Sequence, residues 1–244
     1  MKIIATIEAR MTSSRLPGKV LLKASGIPLL QHLVNRLSAV PSINGIVLAT
    51  TTNIADDPLE EFAKQMRINC FRGSEDDVMN RVIGAAYSVN ADVIVEITGD
   101  CPIIDSEIVE QAIRIYKYNN ADYVSNAVVR SYPDGMDVQV FSLDTLVKSA
   151  KMTANPLDHE HVTLHIRNHP EIFSHLNLIA PPELHWPELG LTLDEQSDYD
   201  LLKYVIEHFE KINLKFTCLD VVRFLRNRPD LVNINFDIKR KGNN

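Results

Sequence analysis

The sequence predicts an α/β protein built on a mainly parallel β-sheet that is flanked by helices. Short, nearly continuous apolar runs, such as GIVLATT at 45–51, are typical of strands buried on both faces. These runs alternate with longer segments whose apolar residues recur at helical spacing, which indicates βαβ units. A chain of 244 residues can also bury a sizeable core without disulfides or a structural metal.

The first half of the chain, to about residue 120, alternates regularly between strands and helices. Its opening apolar run stops at Glu8, too early for a signal peptide, and is interpreted as the first strand. Pro28 suits the first turn of a helix, as does the Asp57-Pro58 pair further on. The predicted strands are 1–9, 45–51, 68–71 and 92–98, and the predicted helices begin near residues 28, 57 and 76.

The second half is less regular. Strands are predicted at 122–126 and 136–141, separated by the turn YPDG at 132–135. Helices are predicted at 143–152, 157–168 and 197–209, the second ended by a proline.

Three histidines, His161, His165 and His169, share one face of the predicted helix that begins at residue 157. Two such imidazoles can bind zinc, but HExxH is absent and no third ligand is evident, so zinc is not expected.

The composition argues against several protein classes. Apolar residues make up 45% of the chain and charged residues 23%, values typical of a folded globular protein. No apolar run reaches the roughly 18 residues that span a membrane, and no membrane partner is expected. The three cysteines form no CxxC pair, which fits a reducing cytoplasm. The net charge of −7 argues against nucleic-acid binding.

The acidic residues are unevenly distributed along the chain. None lies between Glu8 and Asp56, a stretch that holds five cationic residues. Three of them lie in residues 9–19, a loop rich in small and hydroxyl side chains that follows the first predicted strand. Amides and cations in such a loop can bind phosphates, although the loop matches neither the P-loop nor GxGxxG. A basic surface loop without a ligand is the alternative. The five cations are Arg10, Arg15, Lys19, Lys23 and Arg36.

Acidic residues follow two other apolar runs. Asp100 comes after the strand predicted at 92–98, and Asp194 after the run LGLTL at 189–193. Both are expected at the carboxyl edge of one sheet, where Mg²⁺ would suit them and where they would repel each other without a cation. Taken alone, Asp100 could also be a turn or capping residue. Asp105 is interpreted as a helix cap, and the DYD triplet at 198–200 as helical rather than a metal motif.

Several segments together resemble one enzyme group. Residues 9–21, ARMTSSRLPGKVL, are similar to the opening signature of the sugar-acid cytidylyltransferases, which include the acylneuraminate- and 3-deoxy-manno-octulosonate-activating enzymes. Within that group the chain most resembles the spore coat polysaccharide biosynthesis protein F family. His159 departs from this family, which usually has arginine there. The other supporting segments are RGSEDDVMNR at 72–81, TGDCP at 98–102, EHVT at 160–163 and LDE at 193–195 with Asp198.

The resemblance implies a Rossmann-like, GT-A-like nucleotidyltransferase fold as a single domain over residues 1–244. Nucleotide would bind to about residues 1–120, and about 121–244 would provide sugar binding and homodimerisation. The implied reaction transfers CMP from CTP to an acidic or modified sugar, releases pyrophosphate and uses Mg²⁺ or Mn²⁺. The implied catalytic residues are Lys19, Arg15 and Asp100, and the metal ligands are Asp100 and Asp194. The implied nucleotide contacts are Ala9, Arg10, Ser13, Ser14, Arg15, Lys19, Arg72, Gly73 and Ser74, and the sugar contacts are Glu160, His161 and Asp137.

Two other functions are compatible with these residues, which also do not choose among CTP, UTP and GTP. A metal-dependent glycosyltransferase would bind a nucleotide-sugar donor on a similar half-sheet and would release no pyrophosphate. A relative that binds a nucleotide or sugar without turnover is the second alternative. The joint presence of Lys19, Asp100 and Asp194 argues against the latter.

Overall fold

The computed structural model describes residues 1–212 and 215–238. Its strands and helices alternate through the first half of the chain as the sequence predicts. The strands are β1 (Ile3–Glu8), β2 (Lys23–Ala24), β3 (Ile27–Pro28), β4 (Gly45–Thr51), β5 (Asn69–Gly73), β6 (Val93–Thr98), β7 (Tyr123–Ser125), β8 (Gln139–Ser142) and β9 (His175–Asn177). The helices are α1 (Leu29–Ser38), α2 (Asp57–Met66), α3 (Val78–Ser88), α4 (Ser106–Tyr118), α5 (Leu143–Met152), α6 (Pro156–Glu160), α7 (Leu164–Asn168), α8 (Gln196–Glu210), α9 (Cys218–Arg226) and α10 (Pro229–Val232).

Seven of the strands form one mixed sheet in the order β5-β4-β1-β6-β8-β7-β9. The four strands from the first half, β5, β4, β1 and β6, are parallel neighbours. Strand β8 runs antiparallel to both β6 and β7, whereas β9 is parallel to β7. The predicted mixed, mainly parallel sheet flanked by helices is therefore confirmed. Its parallel strands end at one edge, where ligands bind in folds of this kind.

Helices cover both faces of the sheet, which explains the continuous apolar run of β1. Ile3 and Ile7 belong to a core shared with α1, α4, α8 and α9. Ile4 faces the opposite side, in a second core formed with α3 and α5. Because the strand is buried on both sides, its sequence lacks the apolar–polar alternation of a half-exposed strand.

The prediction of one helix over 157–168 is wrong, because the chain forms the two short helices α6 and α7 instead. Between them Val162 has a φ of 43°, a left-handed conformation that interrupts a right-handed helix. His161 is consequently exposed, while His165 is buried, with its Nδ1 3.1 Å from the Ser149 hydroxyl. Within residues 1–212 and 215–238, no group of three His, Cys, Asp or Glu side chains is arranged to hold a metal ion.

The prediction that Asp105 caps a helix is confirmed, since its carboxylate accepts a hydrogen bond from the Glu107 amide at the start of α4. The DYD triplet also lies inside α8, where Asp198 and Glu195 form a capping box. None of the described helices is both long enough and apolar enough to cross a membrane.

Candidate functional site

The loop that follows β1 is closed on itself and leaves a row of amides available. The Gly18 amide donates to the Met11 carbonyl over 2.9 Å, which joins the two ends of the loop. The Met11 amide in turn donates to the buried carboxylate of Asp56 over 2.6 Å. Among the described residues, no hydrogen bond is made by the backbone amides of residues 12–16. This arrangement can bind an anion through successive N–H groups.

The loop that follows β6 lies directly against the end of β1. The Gly99 amide donates to the Glu8 carbonyl over 2.9 Å, and a Cβ atom at residue 99 would lie only 2.9 Å from that same oxygen. Only glycine permits this close approach. The contact brings Asp100 beside the loop that follows β1.

A third segment brings in Asp194. The Leu193 amide donates to the Asp100 carbonyl over 2.8 Å, and the Thr192 hydroxyl donates to the same oxygen over 3.3 Å. Residues 189–193 form only an isolated bridge, Asp134 with Gly190, rather than a strand of the sheet. The two carboxylates expected at one edge of the sheet do therefore lie close together there. Asp194 is positioned by hydrogen bonds from residues 192 and 193 to the Asp100 carbonyl, and not by the end of a strand.

A lysine ammonium lies between the two carboxylates. Lys19 Nζ is 3.4 Å from Asp100 Oδ2 and 3.0 Å from Asp194 Oδ1, and Arg15 is 2.7 Å from the same Asp194 oxygen. These side chains are shielded from solvent, with exposures of 12% for Lys19, 14% for Asp194 and 25% for Asp100. The expected repulsion between the two acids is thus relieved by a cation of the chain itself.

The electrostatics of Asp194 follow from this environment. Burial alone would raise the pKa of its carboxyl group, but the nearby charges of Lys19 and Arg15 outweigh burial and lower the pKa. Asp194 is therefore ionised at neutral pH and available as an anionic ligand.

The same donor set suits a hard divalent cation. Asp100 and Asp194 supply carboxylate oxygens, and the Leu193 carbonyl accepts a hydrogen bond from Lys19 beside them. Mg²⁺ prefers oxygen ligands of this kind, usually one or two carboxylates together with substrate phosphates. The Lys19 ammonium marks a position that already accommodates positive charge, so the residues present fit the metal.

The predicted nucleotide contacts separate into two groups. Arg10 lies in the first loop and forms an ion pair of 2.9 Å with Glu75, which also accepts hydrogen bonds from Thr12 and Asn53. Glu75 thereby attaches the end of β5 at Gly73, and Ser74 that follows it, to the loop after β1. Glu75 was not among the predicted site residues, although it lies within the RGSEDDVMNR segment.

Arg72, by contrast, is occupied by contacts with α2. Its guanidinium lies 2.7 Å from Asp57 and 3.0 Å from Glu60, and it also donates to the carbonyls of Thr51 and Asn53. Ser74 accepts a hydrogen bond from the amide of Asp77 at the start of α3. Of the remaining loop positions, Ala9 is buried, Ser13 is half-buried and Ser14 is exposed.

The predicted sugar contacts all lie in the second half of the chain. Glu160 and His161 are both exposed at the end of α6, and no hydrogen bond or ion pair within the described ranges joins them to Lys19, Asp100 or Asp194. The preceding His159 contacts Asp77 over 2.8 Å, so α6 is attached to the N-terminus of α3. Asp137 is half-buried just before β8.

A cavity of about 1170 Å³ lies elsewhere, between α1, α4 and residues 215–217. None of the predicted nucleotide, sugar or metal contacts lines it. The charged residues predicted to bind nucleotide and metal lie instead in the loops at the carboxyl edge of the sheet.

The chain is similar in sequence to several known proteins. An uncharacterised protein of Methanocaldococcus jannaschii is 35% identical over 241 residues, which are 99% of this chain and 97% of that protein. The spore coat polysaccharide biosynthesis protein SpsF of Bacillus subtilis is 34% identical over 82% of this chain and 85% of its own length. A 3-deoxy-manno-octulosonate cytidylyltransferase of Pelobacter propionicus is 32% identical, over 47% of this chain and 44% of that enzyme.

Solved structures show the same fold. A cytidylyltransferase from Leptospira borgpetersenii superimposes with a TM-score of 0.91 at 32% identity, covering 98% of this chain and 100% of that one. A CMP:2-keto-3-deoxy-manno-octonic acid synthetase superimposes with a TM-score of 0.62 at 18% identity, covering 85% of this chain and 99% of that one, and supports the fold alone. The cytidylyltransferase family model matches residues 4–221. The predicted family and enzyme class are thus confirmed: the chain belongs to the cytidylyltransferase family and is a nucleotidyltransferase.

Proposed function

We propose that this protein transfers CMP from CTP to a sugar acid, in a Mg²⁺-dependent reaction that releases pyrophosphate. The observation that carries the proposal is the position of Lys19 between Asp100 and Asp194, next to a loop with available amides. Relatives named for 3-deoxy-manno-octulosonate and its 8-amino-3,8-dideoxy analogue support an acidic sugar as acceptor.

The loop after β1 would bind the triphosphate. Its amides at residues 12–16, together with Arg10, Arg15 and Lys19, face the negative charge that accumulates on the departing pyrophosphate. Donors that are already oriented toward such charge stabilise the transition state without reorganisation. Gly73 and Ser74 would complete the nucleotide site through the connection that Glu75 makes to this loop.

Asp100 and Asp194 would hold the metal, with Lys19 released toward the phosphates. A divalent cation bound there supplies charge neutralisation at the α-phosphate and helps to orient it. The chain holds both carboxylates in place through the hydrogen bonds from Leu193 and Thr192 to the Asp100 carbonyl. A sugar hydroxyl aligned with the α-phosphorus then attacks with a reduced entropic cost.

The acceptor would bind in the part of the chain from about residue 121, with Asp137, Glu160 and His161 as contacts. His159 attaches α6, the helix that ends at Glu160, to Asp77 of the nucleotide side, so the two parts meet at this ion pair. We also propose that this second part provides a homodimer contact.

The test is pyrophosphate release by the purified protein with Mg²⁺ and each of CTP, UTP and GTP. The acceptors are 3-deoxy-manno-octulosonate, its 8-amino-3,8-dideoxy analogue and an acylneuraminate. We expect release with CTP and at least one acceptor, and none without an acceptor. Binding of a nucleotide sugar without any pyrophosphate release would contradict the proposal and favour a glycosyltransferase.

Two lysine variants provide the matched comparison. Lys19→Met should lower the rate of pyrophosphate release by about 10²–10³-fold, the range typical for loss of one oriented donor. Lys23→Met, in the same basic stretch but exposed on β2, should retain the wild-type rate. Equal rates for the two variants would remove Lys19 from the site.

A further inference from the structure

Asp137 lies in a segment that is held by side-chain hydrogen bonds from Asn126. The buried amide of Asn126 donates to the Met136 carbonyl over 2.7 Å and accepts from the Val138 amide over 2.8 Å. Met136 and Val138 on either side of Asp137 are fully buried, whereas Asp137 is only half-buried. Hydrogen bonds and packing on both neighbours thus hold the Asp137 backbone, while Asp137 itself is half-buried.

The sheet register places this segment beside the metal-binding loop. Glu96 of β6 pairs with Gln139 of β8, and continuing this antiparallel pairing by two residues brings Asp137 level with Thr98, where β6 ends. Asp100 follows two residues later. The same segment also packs tightly against residues 189–193, because a Cβ at Gly135 would lie 2.5 Å from the Leu191 backbone. Asp137 is therefore next to both chain segments that carry the predicted metal ligands.

The Asp137 carboxyl has no partner of its own in the described ranges, since it forms no hydrogen bond and no ion pair within 4.0 Å. Burial raises its pKa to about 7, with Asp134 and Asp100 adding to this effect and Arg130 and Arg167 opposing it. Glu96 of β6 also interacts with it electrostatically. These are the charged groups of the surrounding turn, loop, strand and helix α7.

Other carboxyl groups of this region are less suitable for contact with substrate. Both carboxyl oxygens of Glu8 are buried, and Glu96 is 5% exposed and accepts a hydrogen bond from Gln139. Glu160 is exposed at the end of α6, and no hydrogen bond or ion pair in the described ranges joins it to Asp100 or Asp194. Asp137 alone among these four combines partial exposure, a fixed backbone and the absence of a competing hydrogen bond.

We propose that Asp137 is the general base that accepts the proton of the attacking sugar hydroxyl. This inference rests on the proposed function and adds a catalytic role to the sugar contact predicted for Asp137. In the step, the acceptor oxygen forms a bond to the α-phosphorus while the bond from that phosphorus to the pyrophosphate oxygen breaks. The hydroxyl proton moves to a carboxylate oxygen of Asp137 and is later lost to water.

The test is the pH dependence of kcat/KM for pyrophosphate release from pH 5.5 to 8, with CTP, Mg²⁺ and the best acceptor of the panel. The wild-type protein should lose activity toward low pH as the base becomes protonated. Asp137→Asn, which keeps the size of the side chain, should lower kcat by about 10²–10⁴-fold and abolish this acid limb. Its CTP affinity should stay at the wild-type value, because the proposal assigns Asp137 to the acceptor.

Asp134→Asn is the matched control and a second test. Asp134 raises the pKa of Asp137 and pairs with Arg130 over 3.3 Å, so its neutralisation should keep the acid limb but move it to lower pH. An acid limb unchanged in either variant would overturn the inference, as would an Asp137→Asn protein that changes only the KM for the sugar. A wild-type protein that binds CTP but releases no pyrophosphate with any acceptor would instead refute the proposed function itself.

Discussion

The ion-pair cluster of Lys19, Asp100 and Asp194 predicts that the two acids contribute unequally to stability in metal-free protein. Asp194 lies 3.0 Å from Lys19 and 2.7 Å from Arg15, whereas Asp100 lies 3.4 Å from Lys19. Neutralising Asp194 thus removes the shared partner of two cations. Neutralising Asp100 removes one longer and more exposed contact.

The expected loss in the free energy of unfolding depends on the ion pairs that remain in each variant. Breaking a fully buried pair costs roughly 3–5 kcal/mol, and breaking an exposed pair costs about 1 kcal/mol or less. In Asp194→Asn, Lys19 keeps Asp100 and Arg15 keeps Glu195 at 3.7 Å, so the cost should lie between these limits. We expect a loss of about 2 kcal/mol in the free energy of unfolding, or about 4–8 °C in Tm. Asp100→Asn should lose about 1 kcal/mol or less.

Urea unfolding with a chelator present, at neutral and at acidic pH, is the assay. Because the pKa of Asp194 is lowered in the folded protein, its contribution is complete above the unfolded-state pKa and is lost as the pH falls through the folded-state pKa. The difference between wild type and Asp194→Asn should therefore shrink in acid. An Asp194→Asn protein as stable as wild type at neutral pH, or less affected than Asp100→Asn, would refute this reasoning.

Two further predictions concern residues around the site. Asp77 caps α3 through the Asn80 amide at 2.9 Å and contacts His159, so Asp77→Ala should lower stability by about 1–2 kcal/mol in urea unfolding. The adjacent, exposed Asp76→Ala should change it by less than about 0.5 kcal/mol, and equal losses would count against the cap. Burial raises the pKa of Glu96, and that of the neighbouring buried Glu8, so wild-type stability should decrease as the pH rises above the ordinary value of 4.5. Glu96→Gln should make this decrease smaller, so its stability relative to wild type should grow between pH 5 and 8; a constant difference across that range would contradict it.

The regular half of the fold could be predicted because its signals are local. Buried strands such as GIVLATT and helix starts such as Asp57-Pro58 carry their information within a few residues. The end of α6 could not be predicted in this way. It depends on Val162, a β-branched residue held at positive φ within the core, and no local pattern indicates that conformation.

The candidate site was predictable in part. The loop cations and the two acids could be selected because each follows a strand or an apolar run. Their mutual arrangement was not predictable, because Lys19 contacts acids that lie 81 and 175 positions away in the chain. The environment of Asp137 depends on the strand order, in which β8 lies antiparallel to β6 and separates it from β7. This order results from the packing of the whole sheet. The pairing of Arg72 with α2 likewise depends on the tertiary arrangement.

The crystal structure of the protein with CTP and Mg²⁺ tests the central claim most directly. Our account predicts that carboxylate oxygens of Asp100 and Asp194 both lie about 2.1 Å from one Mg²⁺ ion, with the Lys19 ammonium moved onto the phosphates. The triphosphate should contact the amides of residues 12–16. Carboxylates more than about 8 Å apart, too far to share one ion, would contradict the account. So would a nucleotide bound in the cavity between α1 and α4.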